Sequence, residues 1–306
     1  MRPFIPAFLI AFFPFGTVHA ELQAEPQQAP ASAHTTETES GFTQRVRDVL
    51  ASGALDDVLE KRWDLIQQRK HALRLSQLRE KKAKAARERK AAIKKYIPAQ
   101  DTDNEPFLGT KNGAFSLIVY SDFGCPYCKK FHRTAKAFID KYGKHANLIY
   151  RSMPLSIHEP YATELAMGGY CIYRLSGNNT YWNYVDTVYT STNLKNGKKF
   201  VDEFAGRLGI SSENLTSCMT SRDALSFVEK QIKDANKGQF TGTPSVILRN
   251  NLTGEFDFFA GATSLRTLEE SVRKMAEKTA KEVKGAADSS SSAPGLSDPA
   301  ENAKRQ

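Results

Sequence analysis

The stretch SDFGCPYCKKFH, residues 121–132, sets two cysteines three positions apart in a chain of 306 residues that has only four. Such a close pair serves redox chemistry, a metal knuckle or a plain structural disulfide. Just upstream, FSLIVYSD (Phe115 to Asp122) is a short apolar run rich in β-formers. After Gly124 the spacing changes to that of a helix, Cys125 to about Tyr142, with Phe131, Ala135, Phe138 and Ile139 on one side. The pair therefore sits at a strand-to-helix turn. If Cys125 caps the helix, Pro126 falls at the first helical position, where a fixed φ and a missing N–H cost nothing. Cys125 then faces free backbone N–H groups and the positive end of the helix dipole. Both favour a thiolate and lower the pKa from ~8.5 into the ~3.5–7.5 range known for such cysteines. Cys128 lies on the same face, placed to attack a mixed disulfide at Cys125 or to close the ring that makes the site an oxidant.

The competing readings weaken on inspection. A structural zinc site wants four ligands, usually from two knuckles, and Cys171 and Cys218 each stand alone in a helix-rich segment. A purely structural Cys-x-x-Cys bridge is strained and removes little loop entropy. Redox activity is the reading that remains, with no metal site and no cofactor assigned. Cys171 and Cys218 suit a structural bridge closing a long loop; a buried free pair is the alternative.

Targeting supports the same chemistry. Met1 to Ala20 reads as a secretory leader, with Arg2, an apolar core from Phe4 to about Gly16, and a small-residue exit at Val18-His19-Ala20. Residues 21–42 read as a solvated linker. Export takes thiols into oxidising surroundings, the periplasm or an equivalent compartment, where cysteine pairs are usually oxidised or catalytic.

Next comes a basic helical segment, residues 43–100, broken or bent near Gly53. Val58, Leu65 and Ala72 recur every seven residues, as do Leu59, Ile66 and Leu73, and the two series share one stripe. Arg62 and Arg69 interrupt a strict coiled-coil seam, so self-association and packing on the protein's own core both remain open. Residues 61–96 hold 14 Lys or Arg against 3 Asp or Glu, net +11 in a chain of net +9. The charge thus belongs to one helix and the rest of a mature chain is slightly acidic. No aromatic residue interrupts the Lys and Arg from Lys81 to Lys95, which makes a solvated helix face the simpler reading, and no nucleic-acid partner is expected.

The remaining order is strand (Asn147 to Leu155), helical block (about Pro160 to Lys237), two strands (PSVILRN and EFDFFAG) joined by the NNLTG turn, and a helix from Thr263 to about Val283. From Gly285 to Gln306 the composition is that of a disordered tail.

FGCPYCKKF together with GTPSVIL resembles the DsbA-like thioredoxin-fold family of exported thiol-disulfide oxidoreductases, over roughly Pro106 to Val283. The resemblance implies an α/β thioredoxin domain over residues 101–284 with a helical insertion at about 158–238, preceded here by the long N-terminal helical segment. It also implies that Thr243-Pro244 is a cis bond facing Cys125, Pro126, Tyr127 and Cys128, with strand-like backbone groups to hold an extended substrate. The family often carries a buried acid six residues before the nucleophile, and Val119 stands there, so proton transfer at Cys128 lacks an obvious base. Asp122 reads as an exposed turn residue, His132 as a partly exposed packing histidine, and His158 carries no assignment. The expected partners are unfolded or misfolded secreted proteins, a DsbB-like or DsbD-like membrane redox protein, and a second copy of the chain through the basic helix. Two other classes stay open: a soft-metal (copper) handling protein using the same cysteines, and an envelope scaffold acting through the basic helix.

Overall fold

The computed structural model describes residues 39–291, so the leader and nearly all of the linker lie outside the described residues, as does the chain beyond Ser291. The chain divides into two compact units, one ending at Arg74 and the other beginning at Leu75. The elements run α1 (Glu39–Ala51), α2 (Ala54–Tyr96), β1 (Phe107–Gly109), β2 (Phe115–Ser121), α3 (Pro126–Tyr142), β3 (Ala146–Ser152), a 3₁₀ turn (Ser156–His158), α4 (Tyr161–Thr190), α5 (Gly197–Arg207), α6 (Ser212–Met219), α7 (Arg222–Lys237), β4 (Ser245–Asn250), β5 (Phe256–Ala260) and α8 (Leu265–Ser291). Among the described residues no helix is long and apolar enough to cross a membrane. The helical segment does break at Gly53, whose φ of 70° ends α1 in a left-handed turn that glycine adopts without strain. The final helix outruns its expected end, continuing to Ser291 through residues assigned to the tail.

Among the described residues five strands form one sheet in the order β1-β3-β2-β4-β5. Only β2 and β3 run parallel; the other pairs are antiparallel. The central strand shows why the sheet has two cores. Alternate side chains point to opposite faces: Leu117 and Val119 join the cluster that holds Cys125, Cys128, Phe131 and Phe138, while Ile118 and Tyr120 join a second cluster with Met153, Phe240 and Ile247. At about 1.5–3 kcal/mol for each fully buried aliphatic side chain, a one-residue slip of β2 would empty both.

The second face is closed by a segment expected to be solvated. Ile93 and Ile97, at the foot of α2, are 2% and 6% exposed against Ile118 and Tyr120, and Arg89 and Lys90 lie over the rings of Phe258 and Phe256. The packed core therefore reaches back past residue 101. The strap that follows is tied down by Arg151 of β3, which donates from Nη1 and Nη2 to the carbonyls of Pro98 and Ala99 at 2.9 and 2.8 Å and pairs through Nε and Nη2 with Glu105 at 2.9 and 2.8 Å.

The helical insertion has its own core around Leu165, Ile172, Tyr184 and Phe204. Its short helices begin at polar caps: Asn196, Ser211 and Ser221 accept from the backbone N–H groups of Lys199, Asn214 and Ala224. Cys171 of α4 and Cys218 of α6 are joined by a disulfide.

Candidate active site

Cys125 is the N-cap of α3, in extended conformation, with Pro126 following as the first helical residue. Its side chain makes no capping bond, so the sulfur is left to the free N–H groups of the first turn. Gly124 precedes it because a Cβ there would come within 2.8 Å of His158 and the Tyr161 hydroxyl. Cys125 and Cys128 are free thiols, 5% and 1% exposed, and Tyr127 between them projects into solvent. The thiol of Cys128 faces Cys125, and this interaction, against the opposing effect of burial and with help from Thr243 and then from the N–H groups of Cys128 and Tyr127, brings the Cys125 pKa down to about 5. Burial, and then the bond to Cys125, push Cys128 far up. One sulfur is a thiolate at neutral pH and the other a buried thiol.

Opposite the pair lies the cis bond Thr243-Pro244, at the head of β4. The Cys125 sulfur stands 3.5 Å from the Thr243 carbonyl oxygen, and the Thr243 side chain is buried at the same place. Beside Cys125 opens a cleft of about 400 Å³ lined by Phe123, Pro126, Lys129, Tyr161, Leu194 and Lys195 among others. The mix of aromatic walls and ammonium groups suits an extended peptide segment.

Asp122 departs from expectation. Far from being an exposed turn residue, it is 1% exposed. Its Oδ1 accepts from Gly124 N at 2.7 Å, and its Oδ2 accepts from Leu155 N at 2.9 Å and meets His158 Nδ1 at 2.7 Å. Its backbone oxygen accepts from Cys125 N at 3.1 Å. Asp122 thus clamps the turn that carries the nucleophile, and His158, to which the sequence assigned nothing, is the counter-group. The pairing spans 36 positions, so no local pattern announces it; an Asp three residues before a capping Cys is the one available hint.

His132 is likewise more buried than expected, 7% exposed. Its Nδ1 meets the Tyr150 hydroxyl at 2.9 Å and its Nε2 meets Asp186 Oδ1 at 2.7 Å. Burial holds it below its ordinary pKa although Asp186 pulls the other way. Val119, 0% exposed, stands directly beside Tyr150 in the β2–β3 register. Ser121 and Tyr189 share a hydrogen bond of 2.6 Å in the same region. The structure therefore brings Cys125, Pro126, Tyr127, Cys128, Thr243 and Pro244 together, and keeps Cys171 and Cys218 apart from them in the insertion.

Comparison with known proteins points to the same neighbourhood. A protein-family model described as Thioredoxin matches residues 101–257. Solved structures of similar fold include a linker-deletion variant of Proteus mirabilis ScsC (18% identity, 82% of this chain and 100% of that one, TM-score 0.53). Wolbachia pipientis alpha-DsbA1 is also similar (19%, 62% and 98%, 0.52), as is Pseudomonas aeruginosa DsbA2 (22%, 59% and 97%, 0.50). At these identities the likeness is one of fold. Among curated proteins, the Na(+)/H(+) antiporter NhaA of Herminiimonas arsenicoxydans is 20% identical over 161 residues, 52% of this chain, which spans 25% of that protein's length.

Proposed function

Because the chain belongs to the thioredoxin family, with the sheet order and helical insertion of its DsbA-like members, we propose that it is an exported thiol-disulfide oxidoreductase that forms or reshuffles disulfides in secreted proteins. The observation that carries this reading is the asymmetric placing of the two sulfurs, Cys125 at the N-cap of α3 facing the cis Thr243-Pro244 bond and Cys128 1% exposed within the core, with the Cys125 pKa lowered and that of Cys128 raised. In the oxidised state the Cys125–Cys128 disulfide is attacked at Cys125 by a substrate thiolate, and Cys128 leaves. A second substrate thiolate then breaks the mixed disulfide, and Cys125 leaves as a stabilised thiolate. A low Cys125 pKa stabilises the reduced form and so makes the disulfide the stronger oxidant. The periplasm or an equivalent oxidising compartment is where this direction is useful, with unfolded secreted proteins as substrates and a DsbB-like or DsbD-like membrane protein restoring the pair. The test is direct: the oxidised protein should convert a dithiol peptide to its disulfide, and the Cys125→Ser form should not. Equal rates for the two would end this reading.

A specific observation favours reshuffling as a second activity. Leu55, Val58, Leu59, Trp63, Leu65 and Ile66 are all large, apolar and exposed on one length of α2. Self-association through this stripe gathers several Cys125 sites around one bound substrate, which suits isomerisation more than a single oxidising encounter. Light scattering should give an oligomer for the mature chain and a smaller mass for the Val58→Asp, Leu65→Asp form. A monomer in both cases, at tens of micromolar, removes the support for isomerisation and leaves simple oxidation.

A further inference from the structure

If the pair exchanges disulfides as proposed above, Cys128 must take up a proton when a substrate opens the disulfide, and must lose it again whenever the reduced pair attacks a disulfide and closes back to Cys125–Cys128. In that closing step Cys128 must attack the mixed disulfide at Cys125 as a thiolate and not as a thiol, yet Cys128 is 1% exposed and burial favours its protonated form. The N-terminal end of α3 assists Cys125, its N-cap, more than a sulfur one turn inside the helix. The buried strand position six residues before Cys125 is Val119, which has no proton to accept or give.

Tyr150 is the registered partner of Val119 in the neighbouring parallel strand, and registered side chains share a face of the sheet. It lies in the same buried cluster as Cys128. A hydrogen-bonded line leads from it towards solvent: Tyr150 hydroxyl to His132 Nδ1, 2.9 Å; His132 Nε2 to Asp186 Oδ1, 2.7 Å; Asp186 Oδ2 to Lys136 Nζ, 3.1 Å. His132 is one helical turn beyond Cys128, and Asp186, with a side chain 40% exposed, stands at the rim. A carboxylate can only accept, so Asp186 fixes the imidazole proton on Nε2 and leaves Nδ1 to accept from the Tyr150 hydroxyl. The Tyr150 oxygen keeps lone pairs that can take a proton. The charged and titratable groups about His132 are Tyr150 from β3, Asp186 and Tyr189 from α4, and Lys136 from its own helix. Burial lowers the imidazole pKa against the pull of Asp186, which favours the neutral form that a base needs. Burial first, and a charge on Cys128 second, raise the phenols of Tyr150 and Tyr189, which share the buried cluster of Cys128 and meet each other ring to ring.

We propose that Tyr150, His132 and Asp186 form a buried proton relay that deprotonates Cys128 while it resolves the mixed disulfide at Cys125. The Cys128 proton passes to the Tyr150 oxygen as the Tyr150 proton passes to His132 Nδ1. The Cys128 sulfur bonds to that of Cys125, the bond from Cys125 to the substrate sulfur breaks, and the substrate leaves as a thiolate that is protonated by solvent. The imidazolium, held by Asp186, returns its proton to solvent at the rim. Electrons balance within the three sulfurs, and no further oxidant enters.

The test uses the reduced full-length protein and dithionitrobenzoate in stopped flow. The first release of coloured thiolate reports attack by Cys125 and the second reports resolution by Cys128. Tyr150→Phe and His132→Gln should slow the second phase by about tenfold to a hundredfold near pH 6–7, the range typical of a lost general base, and make it rise steeply with pH, while the first phase keeps its rate and pH profile. Asp186→Asn, at the 40% exposed rim, should slow the second phase by about tenfold. Second phases at the wild-type rate and pH slope in all three variants would overturn the relay alone. So would an equal slowing of both phases, which marks a structural role. No first phase in the wild-type protein would overturn the exchange chemistry itself, and the relay with it.

Discussion

Cys128→Ser should accumulate mixed disulfides at Cys125 when mixed with a reducible substrate, and Cys125→Ser should accumulate none. The reason is the division of labour between the sulfurs: Cys125 starts the exchange from the head of α3 and Cys128 ends it from within the core. Alkylation gives the expected size. With a pKa of about 5, Cys125 is almost wholly thiolate at pH 6, roughly 300-fold more so than an ordinary cysteine of pKa ~8.5. A less basic thiolate is a weaker nucleophile, by roughly 40-fold over that interval, so the net advantage is roughly tenfold over a free thiol. Against Cys128, buried and held protonated, it should be far larger. Mixed disulfides trapped on Cys128 instead, with Cys128 labelled first at mildly acidic pH, would reverse the assignment.

The second large effect concerns stability. The Cys171–Cys218 disulfide closes a loop of 47 residues across α4, α5 and α6, and chain-entropy bookkeeping puts its contribution at about 4 kcal/mol. Cys171 is fully buried in the core of the insertion, among Leu165, Ile172 and Val201 and beside the ring edges that meet Tyr184. The Cys171→Ala, Cys218→Ala protein should therefore unfold at clearly lower urea concentration while its Cys125–Cys128 pair still exchanges. An unchanged midpoint, with both sulfurs found free in unreduced peptides of the parent, would remove the bridge from the account. Loss of exchange in the folded double variant would mean that the second pair takes part in turnover.

What could be read from the sequence was what local rules dictate. The turn carrying Cys125 follows from Pro126 and from the switch of period between Phe115 and Tyr142. The break at Gly53 follows from its freedom of φ. The order of strands and helices beyond Asn147 follows from runs of apolar residues. The failures share one cause, which is distance along the chain. Three-residue β1 exists only because Phe107 to Gly109 pair with Ile149 to Asn147. Asp122 is buried because His158 and Leu155 N arrive from beyond β3. His132 is more than a packing residue only where Tyr150 and Asp186 meet it. In α2 the charge of residues 81–95 outweighed, to the eye, the two isoleucines at its foot; yet Ile93 and Ile97 meet the face of a sheet whose strands all come later in the chain.

Those two isoleucines bear on what can be exchanged between proteins of this kind. A chain cut at the expected domain start near Asp101 would leave Ile118, Tyr120 and Phe240 without the residues that cover them, and Arg151 without the Pro98 and Ala99 carbonyls it binds. The inheritable module is therefore larger than the sequence motif that marks it. It starts inside a helix, so a recombination event that swaps the N-terminal segment preserves the domain only when the crossover falls ahead of Arg89, leaving the foot of α2 with the sheet it closes.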